Sequence, residues 1–304
     1  MNNALRKLVL CFFMTVALTL FAAPAYSLEE RSVTMTSVLY GDEFLGIFKE
    51  PSAVFHDDSK GRLYVADSVN SRLISFDSEL EYLSELVDDA MVLPVGIVKS
   101  SKGIFYVLDA STRQVLAIDA TNKTIETLNF KGIPKDSEKF VAGSIAIGLN
   151  DMLYLTDMLN KRVVVFDDSG EYLKAITTSD KALRGFNDIR VDARGYLYAV
   201  DSVGARVFVF DDKGQLVSSF GGRDGDGKLG FPVSVAVGSN GLIYLLDRHR
   251  GEVVVFNEKG LAQYTLMRKG YVEGKLHSAS YIYIDSADTI YVVDGSRVQI
   301  FKED

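Results

Sequence analysis

Short runs of apolar residues recur along the chain, rich in Val, Ile, Leu, Tyr and Phe and separated by Asp, Asn, Ser and Gly. Runs of this length and composition predict β-strands joined by tight turns. One run carries a signature. Gly61-Arg62-Leu63-Tyr64-Val65-Ala66-Asp67 returns as Gly103-Ile104-Phe105-Tyr106-Val107-Leu108-Asp109 and as Met152-Leu153-Tyr154-Leu155-Thr156-Asp157. It returns again as Gly195-Tyr196-Leu197-Tyr198-Ala199-Val200-Asp201, Gly241-Leu242-Ile243-Tyr244-Leu245-Leu246-Asp247 and Thr289-Ile290-Tyr291-Val292-Val293-Asp294. The six Tyr are spaced by 42, 48, 44, 46 and 47 residues. An apolar segment precedes the signature, as at 51–55, 94–98, 143–147 and 232–237, and another follows it, usually ending in an acid. After a Gly-containing turn comes a fourth segment, such as 216–220. Four strands in a repeat of about 45 residues make the unit of a β-propeller blade. The pattern therefore predicts an all-β fold, a single six-bladed β-propeller over residues 28–304 with four antiparallel strands per blade.

The last copy keeps a shortened third strand, 297–301, and then lacks a fourth. The stretch 38–48, with Gly41-Asp42-Glu43-Phe44-Leu45-Gly46-Ile47-Phe48, is expected to supply it. An N-terminal strand that closes the last blade removes two exposed sheet edges. The repeat resembles the NHL family over nearly all of residues 28–304. Its most typical stretch is Phe220-Gly221-Gly222-Arg223-Asp224-Gly225-Asp226-Gly227, followed by Phe231-Pro232-Val233-Ser234-Val235-Ala236-Val237 and the signature at 241–247. With no Trp in the chain, the WD40 and kelch classes do not fit.

The N-terminus reads as an address. Arg6 and Lys7 precede an apolar run from Leu8 to Ala23, and Pro24-Ala25-Tyr26-Ser27 follows with small residues where a signal peptidase cuts. The run is too short to span a bilayer, which takes roughly 20 residues. Residues 1–27 are thus expected to be a cleaved signal peptide, and the protein to be exported, periplasmic or extracellular, with no membrane span after cleavage. Cys11, the only Cys, leaves with it, so disulfides and thiol chemistry are excluded from the mature chain. The formal charge of −8 argues against nucleic acid as a partner.

Candidate chemistry falls into three groups. The repeated acids Asp67, Asp109, Asp157, Asp201, Asp247 and Asp294 end each second strand, and Arg72, Arg162, Arg206 and Arg297 stand beside four of them. Such a pair can clamp the intervening turn, so these residues are expected to be structural. Gln114 and Glu252 replace the Arg in blades two and five, which predicts freer carboxylates at Asp109 and Asp247 unless Arg113 or Arg250 substitutes. The NHL resemblance also brings in propeller lyases that use His with zinc or magnesium, and more distant lactonases that hold calcium with Glu, Asn and Asp. Here His249 and His277 fall on one face and His56 on the other, so a three-His zinc site is not expected. Asp224-Gly225-Asp226-Gly227 lacks the further ligands of a calcium loop. No metal or cofactor is expected. Asn187 and Asp188 are the best acid and amide candidates near the axis.

The third group is a local reversal of charge. Arg184, Arg223, Arg248, His249, Arg250, Arg268, Lys269 and His277 fall in loops of a single face across blades four to six. Such a patch steers acidic partners. The expected function is non-catalytic: an exported binding or scaffold protein presenting a propeller face to a protein, or to an anionic small molecule or glycan. The alternatives are a metal-dependent lyase or lactonase-like enzyme and an accessory subunit of an exported redox or envelope assembly. Intact mass of the protein recovered from outside the cytoplasm checks the first step. It should correspond to a chain starting at Leu28, and a mass retaining residues 1–27 contradicts the export reading.

Overall fold

The computed structural model describes residues 28–42, 46–134, 139–224 and 227–304; the expected signal peptide lies outside the described residues. Each signature becomes the second strand of a four-stranded antiparallel sheet. Blade one comprises Pro51–Asp57, Arg62–Asp67, Arg72–Phe76 and Tyr82–Val87, and blade two Pro94–Lys99, Phe105–Asp109, Val115–Asp119 and Thr124–Thr127. Blade three is Ala142–Ile147, Leu153–Asp157, Arg162–Phe166 and Tyr172–Ile176; blade four is Asp188–Val191, Leu197–Asp201, Arg206–Phe210 and Leu216–Gly221. Blade five is Pro232–Val237, Ile243–Asp247, Glu252–Phe256 and Ala262–Leu266. Blade six has Ala279–Ile284, Ile290–Asp294 and Arg297–Glu303, completed by Val33–Leu39. The first strands touch one another in sequence around the ring, blade six meeting blade one, and so line the axis.

The blades pack face to face because their inner strands are apolar on both sides. In blade three, Leu153, Leu155, Val164 and Phe166 enter the core shared with blade two, whereas Tyr154, Val163 and Val165 enter the core shared with blade four. A strand covered on both faces reads as the continuous run Val163-Val164-Val165-Phe166, not as an alternation. The outer strands are instead largely exposed, as in Tyr82–Val87.

Ring closure differs from the expectation in register. The closing strand is Val33–Leu39, antiparallel to Arg297–Glu303, so only Val38 and Leu39 of the expected segment take part. Val33 and Met35 pack on the core containing Phe301, whereas Gly41–Asp42 and Gly46–Ile47 pair with each other. The last strand runs two residues past Phe301, and so is longer, not shorter, than its five-residue counterparts. Glu29–Arg31 adds a parallel fifth strand to blade five, with the Arg31 guanidinium 3.8 Å from the centre of the Tyr264 ring.

The repeated Asp side chains are buried, none more than 3% exposed. Each accepts backbone N–H bonds from the linker leading into its own blade, 16 to 18 residues upstream. Lys49 donates to Asp67 at 2.7 Å, Val92 and Leu93 to Asp109 at 2.7 and 2.6 Å, and Val141 to Asp157 at 3.4 Å. Arg184 donates to Asp201 at 2.8 Å, Gly230 and Phe231 to Asp247 at 2.5 and 3.0 Å, and His277 and Ser278 to Asp294 at 2.9 and 2.6 Å. The carboxylate thus staples the start of each blade to the turn between its second and third strands.

The expected Arg partners close on the acid in three blades: Arg72 Nε at 2.8 Å, Arg162 Nε at 2.9 Å and Arg297 Nη2 at 2.8 Å. Arg206 does not. It pairs with Asp180 at 3.4 Å, and Asp201 takes the Gly204 N–H at 2.7 Å instead. Nor are Asp109 and Asp247 freer than their counterparts. Ser111 and Thr112 donate N–H groups to Asp109 at 3.0 and 2.9 Å. Arg250 reaches Asp247 through its backbone N–H, and its guanidinium turns to Glu252. Backbone donors satisfy these buried acids wherever the Arg is missing.

Burial alone would raise the Asp109 carboxyl, but the N–H groups of Thr112, Leu93 and Val92 outweigh it and hold it below its ordinary value. A lowered carboxylate contributes stability above its unfolded value, near ~3.9, that is lost as pH falls through the folded value. Asp109→Asn should cost on the order of 2–3 kcal/mol at neutral pH. In urea denaturation the deficit should shrink as pH falls below about 4. A deficit independent of pH contradicts the role of the charge.

Candidate functional site

Antiparallel blades divide their connections between two faces. The 2–3 loops and the 4–1 linkers share one face, and the 1–2 and 3–4 loops share the other. The Asp staples lie under the first face and fix the 2–3 loops above them, so what those loops carry at their tips is presented rigidly.

The eight basic residues singled out in the sequence all lie on this first face, but most are engaged in holding it together. Arg223 donates to the carbonyls of Gly230 and Val203 at 2.8 and 2.9 Å, and Arg248 to that of Ala279 at 2.9 Å. Arg250 pairs with Glu252, and Arg268 with Glu30 of the added strand. Lys269 donates to the His249 carbonyl at 3.1 Å. His249 stacks on Phe231 with ring centres 5.0 Å apart, and His277 lies 3.8 Å from the Tyr271 ring centre. Arg184 gives its N–H to Asp201 and is itself exposed. The structure therefore gathers these residues on one face without converging them on a single point.

What sequence reasoning missed is the apolar content of the same face. Val69 tips the 2–3 loop of blade one, Met158 and Leu159 that of blade three and Val203 that of blade four, each 50–55% exposed. The linkers add Tyr40, Ile47, Val92, Tyr271 and Val272, with Tyr271 78% exposed. On the loops of the opposite face, Leu149 and Leu261 are the exposed large apolar side chains among the described residues. The signal lay directly after the repeated acids, in Asp67-Ser68-Val69, Asp157-Met158-Leu159 and Asp201-Ser202-Val203.

The opposite face holds His56, as expected. Its Nδ1 lies 2.6 Å from Asp58 Oδ1 and 3.8 Å from Asp285 Oδ2, a group of three possible metal ligands within 4.8 Å of one another. The 2.6 Å separation is that of a charge-assisted hydrogen bond. Two ligands of one tetrahedral zinc stand about 3.3 Å apart when each bond is about 2.0 Å. Asp285 also takes Ala287 N–H at 2.9 Å, Thr289 N–H at 2.8 Å and Tyr291 O–H at 3.0 Å. As placed, the trio fits a His56–Asp58 hydrogen bond within blade one, with Asp285 of blade six at ion-pair distance across the seam, better than an ion cage. Asp188, the axial candidate, is buried and accepts from Ser144 Oγ at 3.0 Å, Ser234 Oγ at 2.7 Å and the Val235 N–H at 3.1 Å. Asn187 instead accepts the Ser202 N–H at 3.1 Å. Gly225 and Asp226 of the Gly/Asp-rich turn lie outside the described residues.

Comparison with known proteins agrees with this architecture. The NHL repeat pattern matches residues 229–256, which run from the linker into blade five through its third strand. No curated protein matches the chain. Among solved structures, virginiamycin B lyase from Staphylococcus aureus superposes with a TM-score of 0.61 at 11% identity, covering 90% of this chain and 94% of that one. A streptogramin B lyase gives 0.62 at 10% identity, covering 84% of this chain and 94% of that one. A putative gluconolactonase gives 0.68 at 10% identity, covering 90% and 92%. At such identities the likeness is one of fold. The NHL repeat is matched in blade five and the same signature closes the second strand of all six blades, so the chain is a six-bladed β-propeller that carries an NHL repeat.

Proposed function

We propose that this protein is an exported, non-catalytic binding protein that docks a partner protein on the face built from its 2–3 loops and 4–1 linkers. The observation that carries the reading is the segregation of exposed apolar side chains. Val69, Val92, Met158, Leu159, Val203, Tyr271 and Val272 project from one face, while the loops of the other expose Leu149 and Leu261. Solvent does not favour such clustering, and contiguous apolar surface with a polar rim is the mark of a protein contact. The tips are apolar in blades one, three and four and basic in blade five, where Arg248, His249 and Arg250 follow Asp247. Apolar loop tips in blades one, three and four beside a basic sector fit a partner that buries apolar side chains and brings acidic residues to blades four to six. The pattern of residues 1–27 supports export, and on that reading the partner is sought outside the cytoplasm.

Cross-linking in the source cell, followed by capture of the tagged chain and mass spectrometry, identifies the partner. The variants Met158→Asp with Leu159→Asp, and Val203→Asp, should lose that partner. Leu261→Asp, on the opposite face, should keep it. All four positions are exposed, so folding should change by no more than about 0.5 kcal/mol. A partner retained by the first two variants, or lost equally in the third, overturns the proposal.

A further inference from the structure

The axis carries a second feature, on the opposite face. A cavity of about 620 Å³ opens among the 1–2 loops, walled by the ends of first strands through Phe55, Val98, Ile147, Val237 and Tyr283, with Arg190 in its wall. That volume suits a small molecule.

Arg190 is the exception in a repeated position. Residues paired with the signature Tyr on the neighbouring second strand are Phe55, Val98, Ala146, Ala236 and Tyr283 in the other five blades, and Arg190 in blade four. Five uncharged residues show that the blade itself does not require a cation there. The half-buried guanidinium gives one N–H to Tyr281 Oη at 3.1 Å and lies 5.8 and 5.2 Å from the Tyr281 and Tyr283 ring centres. Among the described residues no carboxylate forms a salt bridge with it. Asp188, two residues earlier, has its oxygens taken by Ser144, Ser234 and Val235. The other cation of the cavity, Arg194, is tied to Asp192 at 2.8 Å and Glu258 at 3.0 Å. A guanidinium has five N–H donors in a planar fork that matches a carboxylate. The Asp188 charge acts on Arg190 without pairing with it directly, so the fork keeps N–H donors for an anion that enters the cavity.

We propose that this cavity binds a small carboxylate, with Arg190 as its counter-ion. The rim narrows the class. The exposed Asp58 stands at the mouth beside His56, with the buried Asp285 behind it in the lining, so the lining repels a polyanion and favours a ligand whose far end is cationic. The ligand class is a zwitterionic amino carboxylate. The site lies on the face away from the proposed docking surface and does not depend on that reading.

Three probes of equal chain length separate the contributions: γ-aminobutyrate, butyrate and butylamine, titrated calorimetrically into the full exported chain. The γ-aminobutyrate should bind, butyrate should bind more weakly, and butylamine should not bind. Arg190→Met should abolish binding. Arg190→Lys, which keeps the charge and loses the fork, should weaken it about tenfold or more. Should Arg190→Met fail to fold, phenylglyoxal labelling of the parent protein gives the same answer, since γ-aminobutyrate should shield Arg190 from modification. Failure of both carboxylates to bind, binding that survives Arg190→Met, butylamine binding as well as γ-aminobutyrate, or labelling of Arg190 unaffected by ligand overturns the proposal.

Discussion

The contact on which the ring depends is a buried carboxylate holding backbone amides that have no strand to pair with. A 4–1 linker must leave the outer edge of one blade, cross to the axis and begin the next, so its N–H groups fall outside every ladder. Asp109 takes those of Val92 and Leu93, Asp247 those of Gly230 and Phe231, and Asp294 those of His277 and Ser278. A buried backbone donor left without a partner costs about as much as a lost hydrogen bond. One acid per blade removes that cost and sets where the first strand starts. It also orders the 2–3 turn, because the same carboxylate accepts N–H groups from that turn, as from Ser111 and Thr112 in blade two.

The two faces differ as a consequence. On the stapled face the turns are held from below, and side chains such as Met158 and Val203 can point outward without loosening the blade. On the other face the blades are joined to one another by side chains. Ser101 donates to Asp151, Ser239 to Asp288, and Arg194 links Asp192 to Glu258. These latches surround the axial mouth and leave a walled opening, whereas the stapled face presents a broad surface. The two faces thus match the two proposals, a partner protein on the stapled side and a small ligand at the walled opening.

How much of this was legible in the sequence follows from which residues repeat. The blade count and the second strands were plain because Tyr-x-x-Asp recurs and because inner strands must be apolar on both faces. The closing strand was expected at 38–48 and lies at 33–39 because outer strands are half-exposed: Val33-Thr34-Met35-Thr36-Ser37-Val38-Leu39 carries only a weak alternation. The Arg partners were right in three blades of four. Sequence adjacency could show that Arg206 faces Asp201 across the strand pair, but not that Asp180 lies closer to its guanidinium. Arg190 was within reach of sequence reasoning, since it breaks a column of uncharged residues, but that column exists only once strand register is known. The seam trio of His56, Asp58 and Asp285 was out of reach, because more than 200 residues separate its two halves.

Amide hydrogen exchange of the free protein tests the staple most directly. The linker amides of Val92, Leu93, Phe231, His277 and Ser278 lie outside the strands, yet each donates to a buried Asp. They should exchange as slowly as the amides of the second strands, opening only when the ring unfolds. Exchange as fast as that of ordinary loop amides would mean that the carboxylates do not hold the linkers, and the ordering of the 2–3 loops would need another cause.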